Sequence, residues 1–410
     1  MSWFNQSVNY VWKWQWMNRA VFALLAILFL LSVSSITGLI QTVKADGAPI
    51  YINANGSITP PTAPIYTADN ITYTLTGNVT ANADGIVIER DNIVLKGAGY
   101  TVTGSLSGNG TTLTNMSNVT INNIIIKEFG TGIMLDSSSN CTLSGNNVTT
   151  NKHDGIMLDS SSNCTLSGNN ITHNDYGIDM ESSSDNNTLS GNNVADSVYS
   201  IYFESSSNCT LSGNYVTVDS TYGIWLDSSS NCTLSGNNVT NGNNGIALDS
   251  SSNNVLSGNN ITANTGYGIY LSSSSNCTLS GNNVTDNDYG IWLASSSNNF
   301  IFHNDFVNNT NQVYTDGLAN VWDNGSSGNY WSDYVTKYPN ATQVDSSGVW
   351  NTPYIIDTNN TDHYPLTGPY ATVVIPEFPS IQATMFFILL TLLTVIIYKK
   401  KGVRSACTNN

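Results

Sequence analysis

A repeat of 22 or 23 residues extends from about Thr131 to Phe306 and constrains the fold more than any other feature of the sequence. One copy reads GIMLDSSSNCTLSGNNVTTNKHD and begins at Gly132. The Gly-Ile pair returns in later copies, with Ser200-Ile201 in the one remaining position: Gly155, Gly177, Gly223, Gly245, Gly268 and Gly290. A fixed period of this size indicates a solenoid, in which each copy forms one coil that stacks on the coil before it.

Short alternating runs within each copy predict strands rather than helices. Inward-facing residues occupy every second position, first Ile133 and Leu135 and then Cys141 and Leu143. Ser, Gly and Asn, which favour turns, fill the intervals between these runs. The Leu-x-x-Leu-x-Leu frame of leucine-rich repeats is missing from the sequence. The prediction is an all-β fold, a single right-handed parallel β-helix over roughly residues 65–310. Since coils stack about 4.8 Å apart, every repeat position becomes a column along the axis.

Two polar columns are predicted to lie inside the β-helix. Stacked Asn side chains can hydrogen-bond from coil to coil; this column contains Asn146, Asn169, Asn192, Asn214, Asn237, Asn259, Asn282 and Asn304. A second column contains Cys141, Cys164, Cys209, Cys232 and Cys277, interrupted by Asn187, Asn254 and Asn299. Neighbouring coils bring cysteines within disulfide reach by Cα distance, but stacked parallel strands rarely give the required dihedral angle, so buried free thiols are favoured.

Apolar segments flank the predicted β-helix. Residues 1–45 predict a secretory signal peptide that is cut after Ala45, with an uncleaved membrane anchor as the alternative. Residues 46–130 are β-rich and less regular and lead into the repeats of residues 131–310. Residues 381–398 predict a transmembrane helix, and the basic residues of the 399–410 tail should stay in the cytoplasm.

Residues 311–370 are rich in aromatic side chains and are predicted to cap the last coil. The open end of a β-helix exposes strand edges and core, so it needs a cover. An aromatic sugar-binding site is the alternative role for this set: Trp322, Tyr330, Trp331, Tyr334 and Trp350. A linker over residues 371–380, which contains Pro-Glu-Phe-Pro, joins the cap to the apolar segment.

Two parts of the chain resemble known families. The stretch GIVIERDNIVLKGAGYTVTG, the repeats and the tail GNYWSDY…TPYIID…DHYPLTGP resemble NosD-type right-handed β-helix proteins of archaeal cell surfaces, over most of residues 50–370. The resemblance implies the fold and little about activity, because the family is named after a maturation factor of copper-containing nitrous oxide reductase. The C-terminal segment resembles PEF-CTERM sorting signals of archaea, which implies cleavage and lipid transfer by an archaeosortase-type enzyme; a retained anchor is the alternative.

The charge of the chain is strongly acidic, with a formal net charge of −16. Between Asp46 and Ile375 only 5 basic residues face 27 acidic ones, which leaves −22. Such a surface repels nucleic acid and anionic polysaccharides. The sequence also contains 22 Asn-x-Ser/Thr sequons, and those predicted to point outward as glycosylation sites are Asn147, Asn170, Asn238, Asn260 and Asn283. Together these features predict an exported glycoprotein of the cell surface, anchored at its C-terminus.

An acidic column follows the Gly-Ile-x-Leu strand in six successive copies. It contains Asp136, Asp159, Glu181, Glu204, Asp227 and Asp249, and it ends at Ser272 and Ala294. Neighbouring carboxylates one coil apart repel each other by roughly 1 kcal/mol in water. Two interpretations explain how this repulsion is offset. Each acid accepts hydrogen bonds from backbone N–H groups of the Ser-rich turn that it begins, or cations such as Ca²⁺ bridge the coils.

Two aromatic columns lie beside the acids. One precedes the Gly and contains Tyr176, Tyr199, Tyr222, Tyr267 and Tyr289. The other lies between the Ile and the Leu and contains Tyr202, Trp225, Tyr270 and Trp292. These residues are expected to face solvent and to offer stacking surfaces for the sugar rings of a glycan or envelope polymer. Mutual stacking that stiffens the sheet is the alternative.

The sequence predicts no catalytic residues on the regular coils. No Lys or Arg lies between His153 and Thr336 to act as the base of a lyase, and the acids form a uniform column that only Asp175, Asp179, Glu181 and Asp286, Asp288 interrupt. The favoured function is non-catalytic carbohydrate binding, adhesion or an envelope role. A glycoside hydrolase-like enzyme is the first alternative. A copper maturation factor is the second, although His153, His173, His303 and His363 are scattered.

Overall fold

The computed structural model of the chain describes residues 47–217, 221–344 and 347–370. In these residues the backbone winds through three long sheets of 13, 12 and 12 strands, which are parallel except for the edge strands Ile58–Thr59 and Ile65–Tyr66. Strands that follow each other along the repeats belong to different sheets, so each coil contributes one strand to each sheet. This is the predicted parallel β-helix.

The strands of each sheet are as follows. Sheet 1 contains Ile58–Thr59, Ile50–Ile52, Ile86–Ile88, Asn109–Thr114, Thr131–Asp136, Asp154–Asp159, Tyr176–Glu181, Tyr199–Glu204, Tyr222–Asp227, Asn244–Asp249, Tyr267–Ser272, Tyr289–Ala294 and Asn311–Thr315. Sheet 2 contains Ile65–Tyr66, Thr72–Leu75, Val94–Lys96, Thr120–Asn122, Thr142–Ser144, Thr165–Ser167, Thr188–Ser190, Thr210–Ser212, Thr233–Ser235, Val255–Ser257, Thr278–Ser280 and Phe300–Phe302. Sheet 3 contains Val79–Thr80, Thr101–Thr103, Ile125–Lys127, Asn147–Thr149, Asn170–Thr172, Asn193–Ala195, Tyr215–Thr217, Asn238–Thr240, Asn260–Thr262, Asn283–Thr285, Asp305–Val307 and Tyr330–Trp331.

The coils stack in register, so residues at the same repeat position pair directly. Ile133 pairs with Ile156 and Leu135 with Leu158, and these four side chains are fully buried. The β-helix is longer than residues 65–310. It starts with Ile50–Ile52, which pairs with Ile86–Ile88, because the irregular early coils follow the same geometry without a readable period.

Polar ladders satisfy the buried turns between the sheets. The predicted Asn ladder is confirmed: Asn146 Nδ2 donates to Asn169 Oδ1 over 3.0 Å, and the pattern continues to Asn304. Two further ladders were not predicted. In one, the backbone N–H of Ser138 donates to Ser161 Oγ over 2.9 Å. In the other, the backbone N–H of Asn151 donates to Asn174 Oδ1 over 3.0 Å.

Close packing between sheets 1 and 3 favours the repeated Gly of the Gly-Ile pair. A Cβ on Gly132 would lie 2.3 Å from Val148 Cγ1 and 2.5 Å from the carbonyl oxygen of Gly155. Both distances are far below van der Waals contact, so a larger side chain needs a shift of the neighbouring atoms; one coil accepts the fully buried Ser200 at this position. This explains why the pair recurs and provides the clearest phase marker of the repeat.

The cysteine column is buried, and its five described members are free thiols. The backbone N–H of Cys141 donates to Cys164 Sγ over 3.4 Å, so sulfur takes the place of an Asn oxygen in the ladder. At Asn187 the amide oxygen accepts the same kind of bond from the backbone N–H of Cys164 at 2.7 Å. Burial raises the pKa of the Cys277 thiol to about 11, which makes it an unreactive core group.

The segment after the last coil packs over its open end. Trp322, Trp331 and Tyr334 are buried, and the Trp331 ring stacks on Phe306 of the last complete coil at 4.7 Å. Trp331 Nε1 donates to the buried carboxylate of Asp362 over 2.9 Å. The segment also forms the short helix Tyr334–Lys337 and two hairpins, Gln343–Val344 with Val349–Trp350 and Tyr354–Ile355 with Thr361–Asp362. These rings act as the predicted cap rather than as an open sugar-binding surface.

Several predictions lie outside the described residues. They concern the signal peptide of residues 1–45, the linker of residues 371–380, the transmembrane helix of residues 381–398 and the basic tail of residues 399–410. Within the described part of the chain, none of the helices has the length and apolar character needed to cross a bilayer.

Candidate functional site

The outer surface of sheet 1 carries three columns of side chains, here called the sheet 1 face. The first column precedes the Gly and contains Thr131, Asp154, Tyr176, Tyr199, Tyr222, Asn244, Tyr267, Tyr289 and Asn311. The second contains Met134, Met157, Asp179, Tyr202, Trp225, Ala247, Tyr270, Trp292 and Tyr314. The third is the acidic column. On this face, unlike sheets 2 and 3, the residue type changes markedly from coil to coil.

Five rings form the first aromatic block, which contains Tyr176, Tyr199, Tyr202, Tyr222 and Trp225. Tyr176 and Tyr199 stack with their centroids 4.8 Å apart. Tyr202 and Trp225 lie 4.7 Å apart with their planes tilted by 43°. In-register stacking places like residues on successive coils side by side, so the block is a direct product of the repeat.

Five more rings form the second aromatic block, which contains Tyr267, Tyr270, Tyr289, Trp292 and Tyr314. Trp292 stacks on Tyr314 with centroids 3.7 Å apart. Tyr314 was missed in the sequence because it follows the last recognisable copy, although it occupies the same column. Between the blocks, Asn244 and Ala247 take the two aromatic positions of one coil, so this coil separates the two blocks.

The rings are less exposed than the sequence predicts. Tyr202 was expected to face solvent, but it is only 9% exposed because Tyr176, Tyr199 and Trp225 pack around it. The other predicted rings are half-buried. Mutual stacking therefore accounts for much of the contact between rings, and it leaves ring edges, parts of ring faces and phenol hydroxyls at the surface. Tyr314 is 39% exposed and gives the second block an open end.

The acidic column lies along one side of the two aromatic columns. Ser137 Oγ donates to Asp136 Oδ1 over 2.8 Å, and Ser228 Oγ donates to Asp227 Oδ1 over 3.0 Å. The first interpretation of this column expected the acids to accept backbone N–H groups of the Ser-rich turn. At these two positions the donor is instead the hydroxyl of the Ser that follows the acid. The described residues hold no group of three or more His, Cys, Asp or Glu that could hold a metal ion. Calcium bridging between pairs of coils stays a prediction.

Two carboxyl groups lie within the first and second columns, at the N-terminal edge of the first aromatic block. Asp154 is 8% exposed and accepts a hydrogen bond from Thr131 Oγ1 over 2.9 Å. Asp179 is 4% exposed, and its Oδ1 has no hydrogen-bond partner among the described residues. Burial raises the pKa of Asp154. Burial and the neighbouring carboxylates raise the pKa of Asp179 to about 8.

Sequence reasoning noted Asp179 only as a local irregularity and missed Asp154. A signal for both was present. Reading the second column in order gives two Met, one Asp and then aromatic residues, so a lone acid stands in an apolar column. Reading the first column gives Asp154 directly before the row of Tyr. Both residues depart from the regular pattern of their columns.

The predicted glycosylation sites on sheet 3 are tied into an outer ladder. Asn170 Nδ2 donates to Asn147 Oδ1 over 3.0 Å, and Asn283 Nδ2 donates to Asn260 Oδ1 over 2.7 Å. Asn238 is only 8% exposed. A second sequon column was not singled out in the sequence. It lies in the turn between sheets 1 and 2 and is exposed at each position: Asn140, Asn163, Asn186, Asn208, Asn231 and Asn276.

The histidines do not form a copper site in the described residues. His173 contacts Asp196 at 3.6 Å in the middle of the β-helix, and His363 contacts Asp323 at 3.0 Å in the cap. His303 lies beside Ser327, with 2.6 Å between Nε2 and Oγ. Cu sites in proteins use several His, Cys or Met ligands around one point. The side chains present here do not fit such a site.

Two protein-family models match the chain. Residues 64–214 match the right-handed β-helix region, and residues 182–336 match the family described as periplasmic copper-binding protein (NosD). The matches support a NosD-type β-helix repeat protein. No curated protein matches the chain significantly.

Solved structures similar to the chain include proteins of several kinds. The A-module of mannuronan C-5 epimerase AlgE6 from Azotobacter vinelandii has a TM-score of 0.56 and 16% identity, covering 69% of this chain and 88% of that module. At this identity the likeness shows the fold alone. The periplasmic alginate epimerase AlgG has a TM-score of 0.39 and 14% identity, covering 67% and 82%. The Dettilon tailspike protein has a TM-score of 0.40 and 16% identity, covering 62% and 58%.

Proposed function

We propose that the protein is an exported, glycosylated component of the cell surface that binds a linear glycan along the sheet 1 face without cleaving it. The observation that carries the proposal is the pair of aromatic blocks, which line one face over six of the seven coils between Tyr176 and Tyr314. Partly exposed Tyr and Trp rings offer apolar contact together with hydroxyl and indole donors, a combination suited to sugar rings.

The shape and charge of the face favour a long neutral or cationic polymer. The rings recur along the axis with one break at Asn244 and Ala247, so successive sugar units can follow the β-helix over each block. The third column places carboxylates beside the rings, where they can accept hydrogen bonds from sugar hydroxyls. The net charge of −22 over residues 46–375 repels a polyanion.

Export and anchoring belong to the proposal as well. The family model that matches residues 182–336 describes a periplasmic protein, which agrees with a location outside the cytoplasm. The apolar segments at residues 1–45 and 381–398 would direct export and hold the chain at the membrane, either directly or after replacement by a lipid. Protease treatment of intact cells should then remove the β-helix, and full protection would contradict this location.

A binding experiment tests the proposed function. Purified full-length protein is titrated calorimetrically with hexasaccharides of glucose, xylose, mannose and N-acetylglucosamine. Trp225→Ala and Trp292→Ala should each weaken binding of the preferred oligosaccharide by about tenfold or more, which corresponds to about 1.4 kcal/mol. Phe300→Ala is the matched control, because Phe300 is 49% exposed on the outer surface of sheet 2 in the coil that contains Trp292.

The control separates a binding face from a purely structural ladder. If the Trp variants lose affinity while Phe300→Ala retains it, the face binds the glycan. If the Trp variants lower the melting temperature strongly and leave affinity unchanged, the rings serve only to hold the coils together. Absence of binding to every oligosaccharide would leave an envelope or spacer role in place of glycan recognition.

A second candidate function, hydrolysis of a glycan, is favoured by Asp154 and Asp179. Glycoside hydrolases need two carboxyl groups whose pKa values differ. With a pKa of about 8, Asp179 holds a proton at neutral pH, as a general acid must. Incubation with labelled oligosaccharides distinguishes the two functions. Shorter products that appear with the native protein and not with Asp179→Asn would establish an enzyme, and intact oligosaccharides would support binding alone.

A further inference from the structure

The N-terminal edge of the first aromatic block contains a buried carboxyl group whose presence the fold does not require. Asp179 follows Met157 and precedes Tyr202 in the second column, and Tyr176 lies on the same strand. An apolar or aromatic side chain occupies the equivalent position in the coils on both sides. The stacking of coils would therefore accept an apolar residue here, and the acid needs another explanation.

One oxygen of the Asp179 carboxyl group lacks the partner that a buried polar atom normally has. This Oδ1 is enclosed and has no hydrogen-bond partner in the described part of the chain. Burying an unpaired polar group costs free energy, so almost all buried polar groups in native proteins are paired. Nearby Asp154 is also buried but accepts a hydrogen bond from Thr131. A buried carboxyl oxygen without a partner, in the column that continues into Tyr rings, indicates a group that a ligand completes.

The charges around Asp179 have one sign. The carboxylates of Glu181, Asp154 and Glu204 act on it and, together with burial, hold its pKa well above the usual value. The sequence contains no Lys or Arg from His153 to Thr336, and Lys152 and His153 are exposed on the turn before Asp154. None of the described ion pairs involves Asp179. What this place lacks is a positive charge.

The rings at the same place favour an organic cation over a metal ion. Ca²⁺ requires six to eight oxygen ligands, and the described residues offer no group of three acidic, His or Cys ligands for a metal. Tyr176 and Tyr202 border Asp179, with their ring centroids 5.7 Å apart. An ammonium group is attracted to ring faces within about 6 Å and to carboxylates at the same time. Rings and acids together therefore match an ammonium group.

We propose that Asp179, flanked by Tyr176 and Tyr202 and supported by Asp154 and Glu181, is a subsite for the protonated amino group of an amino-sugar unit in the bound glycan. The subsite rests on the proposed glycan binding and gives it a direction. The amino-sugar unit binds at the N-terminal end of the strip, and neutral units of the same chain extend over the aromatic blocks towards Tyr314. The polymer recognised is thus partly N-deacetylated.

Two probes of equal length test the subsite. One is a hexamer of N-acetylglucosamine, and the other is a glucosamine hexamer with free amino groups, which can donate hydrogen bonds to the Asp179 carboxyl and is here called the charged hexamer. Calorimetric titration of the full-length protein at neutral pH should give at least about tenfold tighter binding of the charged hexamer. Asp179→Asn should abolish this preference and leave the affinity for the neutral hexamer unchanged.

Asp185→Asn is the matched control, because Asp185 belongs to the same coil as Asp179 but lies in the turn between sheets 1 and 2, where it accepts the backbone N–H of Ser207. It should retain the preference for the charged hexamer. If Asp185→Asn removes the preference as fully as Asp179→Asn does, the attraction is a general effect of the acidic surface and the subsite is refuted. Equal binding of both hexamers also refutes the subsite while glycan binding stands. Failure of both hexamers to bind overturns the subsite and the proposed function together.

Discussion

The outer surfaces of sheet 1 and sheet 3 cover the same coils but differ in how much they vary. On sheet 3 the outer residues repeat almost unchanged, and they bond along the axis: Thr149 and Thr172 hydroxyls lie 2.9 Å apart, and Asn170 donates to Asn147. On sheet 1 the second column runs from Met through Asp to aromatic residues. Both surfaces lie over an equally regular apolar interior, so the coil itself does not demand the variation of the sheet 1 face.

This difference shows where the chain carries information beyond its fold. A repeated outer ladder contributes to holding neighbouring coils in register. A column that changes from coil to coil contributes less regular contacts and instead presents a different chemical group at each step. Structural support by the sheet 3 surface and the proposed recognition by the sheet 1 face can be separated by four measurements, which break or sharpen the distinction.

The largest effect on stability is expected in the inner Asn ladder, which lies in the buried turn just before the strands of sheet 3. Asn192 accepts hydrogen bonds from the backbone N–H and the Nδ2 of Asn169, and it donates to Leu166 O and Asn214 Oδ1. Asn192→Ala leaves these buried groups unpaired and should lower the free energy of unfolding by about 3–5 kcal/mol. Urea denaturation measures the change.

The neighbouring outer residue provides the control for this prediction. Asn193 is half-buried and donates one hydrogen bond, to Asn170 Oδ1, so Asn193→Ala should cost about 1 kcal/mol or less. Equal losses for the two variants would mean that the outer ladder supports the coil as much as the inner one does. The distinction between interior and surface ladders would then fail.

On the sheet 1 face, replacing Asp179 is expected to increase the free energy of unfolding rather than to lower it. The pKa of Asp179 rises from 3.8 to about 8 on folding, so the folded state binds this proton more tightly than the unfolded state does. Stability from this group is therefore fully present below about pH 4 and is lost as the pH rises towards 8. Asp179→Asn should increase the free energy of unfolding at pH 9 by on the order of a few kcal/mol and change it little at pH 4.

Thermal unfolding at pH 4, 6 and 9 measures this pH dependence, with Asp227→Asn as the comparison. Asp227 lies in the acidic column, accepts a Ser hydroxyl and is half-buried, so its replacement should have a small effect at each pH. If Asp179→Asn destabilises the protein at pH 9, the carboxylate has a structural partner and the subsite loses its basis.

A smaller effect is expected from calcium on the acidic column. If cations bridge neighbouring coils, millimolar Ca²⁺ should raise the melting temperature by about 2–4 °C, because a ligand that binds only the folded state stabilises it. Replacing Asp136, Asp159 and Asp227 by Asn should remove the gain. An unchanged melting temperature in both proteins would assign these acids to their Ser hydroxyls alone.

The smallest effect is expected in glycan occupancy at the sequons. The sequons on sheet 3 and those in the turn between sheets 1 and 2 differ in how accessible the Asn side chain is. N-glycosylation uses the side-chain nitrogen, which Asn170 and Asn283 donate to the outer ladder, whereas Asn163 and Asn276 are exposed in the turn between sheets 1 and 2. Mass spectrometry of glycopeptides from the native protein should find higher occupancy at the turn column. Higher occupancy at the sheet 3 column would show that glycosylation precedes ladder formation.

Much of the fold could be predicted from the repeat because parallel coils stack in register. Under that geometry a position in the sequence is also a position in space, so the inner Asn ladder, the buried Cys column and the aromatic rows follow from spacing alone. The physical cause is strong: a shift by one residue would turn the Ile and Leu side chains outward. The same reasoning reached the aromatic part of the candidate site, except for Tyr314 beyond the last clear copy.

Only the tertiary structure decided how the side chains of neighbouring coils share the surface. The repeat spacing predicts that Tyr202 points outward, but three adjacent rings bury it. The cause is that large side chains on coils about 4.8 Å apart pack against one another. The same crowding encloses Asp179 and leaves its Oδ1 without a hydrogen-bond partner among the described residues. The cap depends on contacts between distant segments, such as Trp331 with Asp362, which no period encodes. The sequence by itself determined the columns, and packing between them determined which members of each column a ligand can reach.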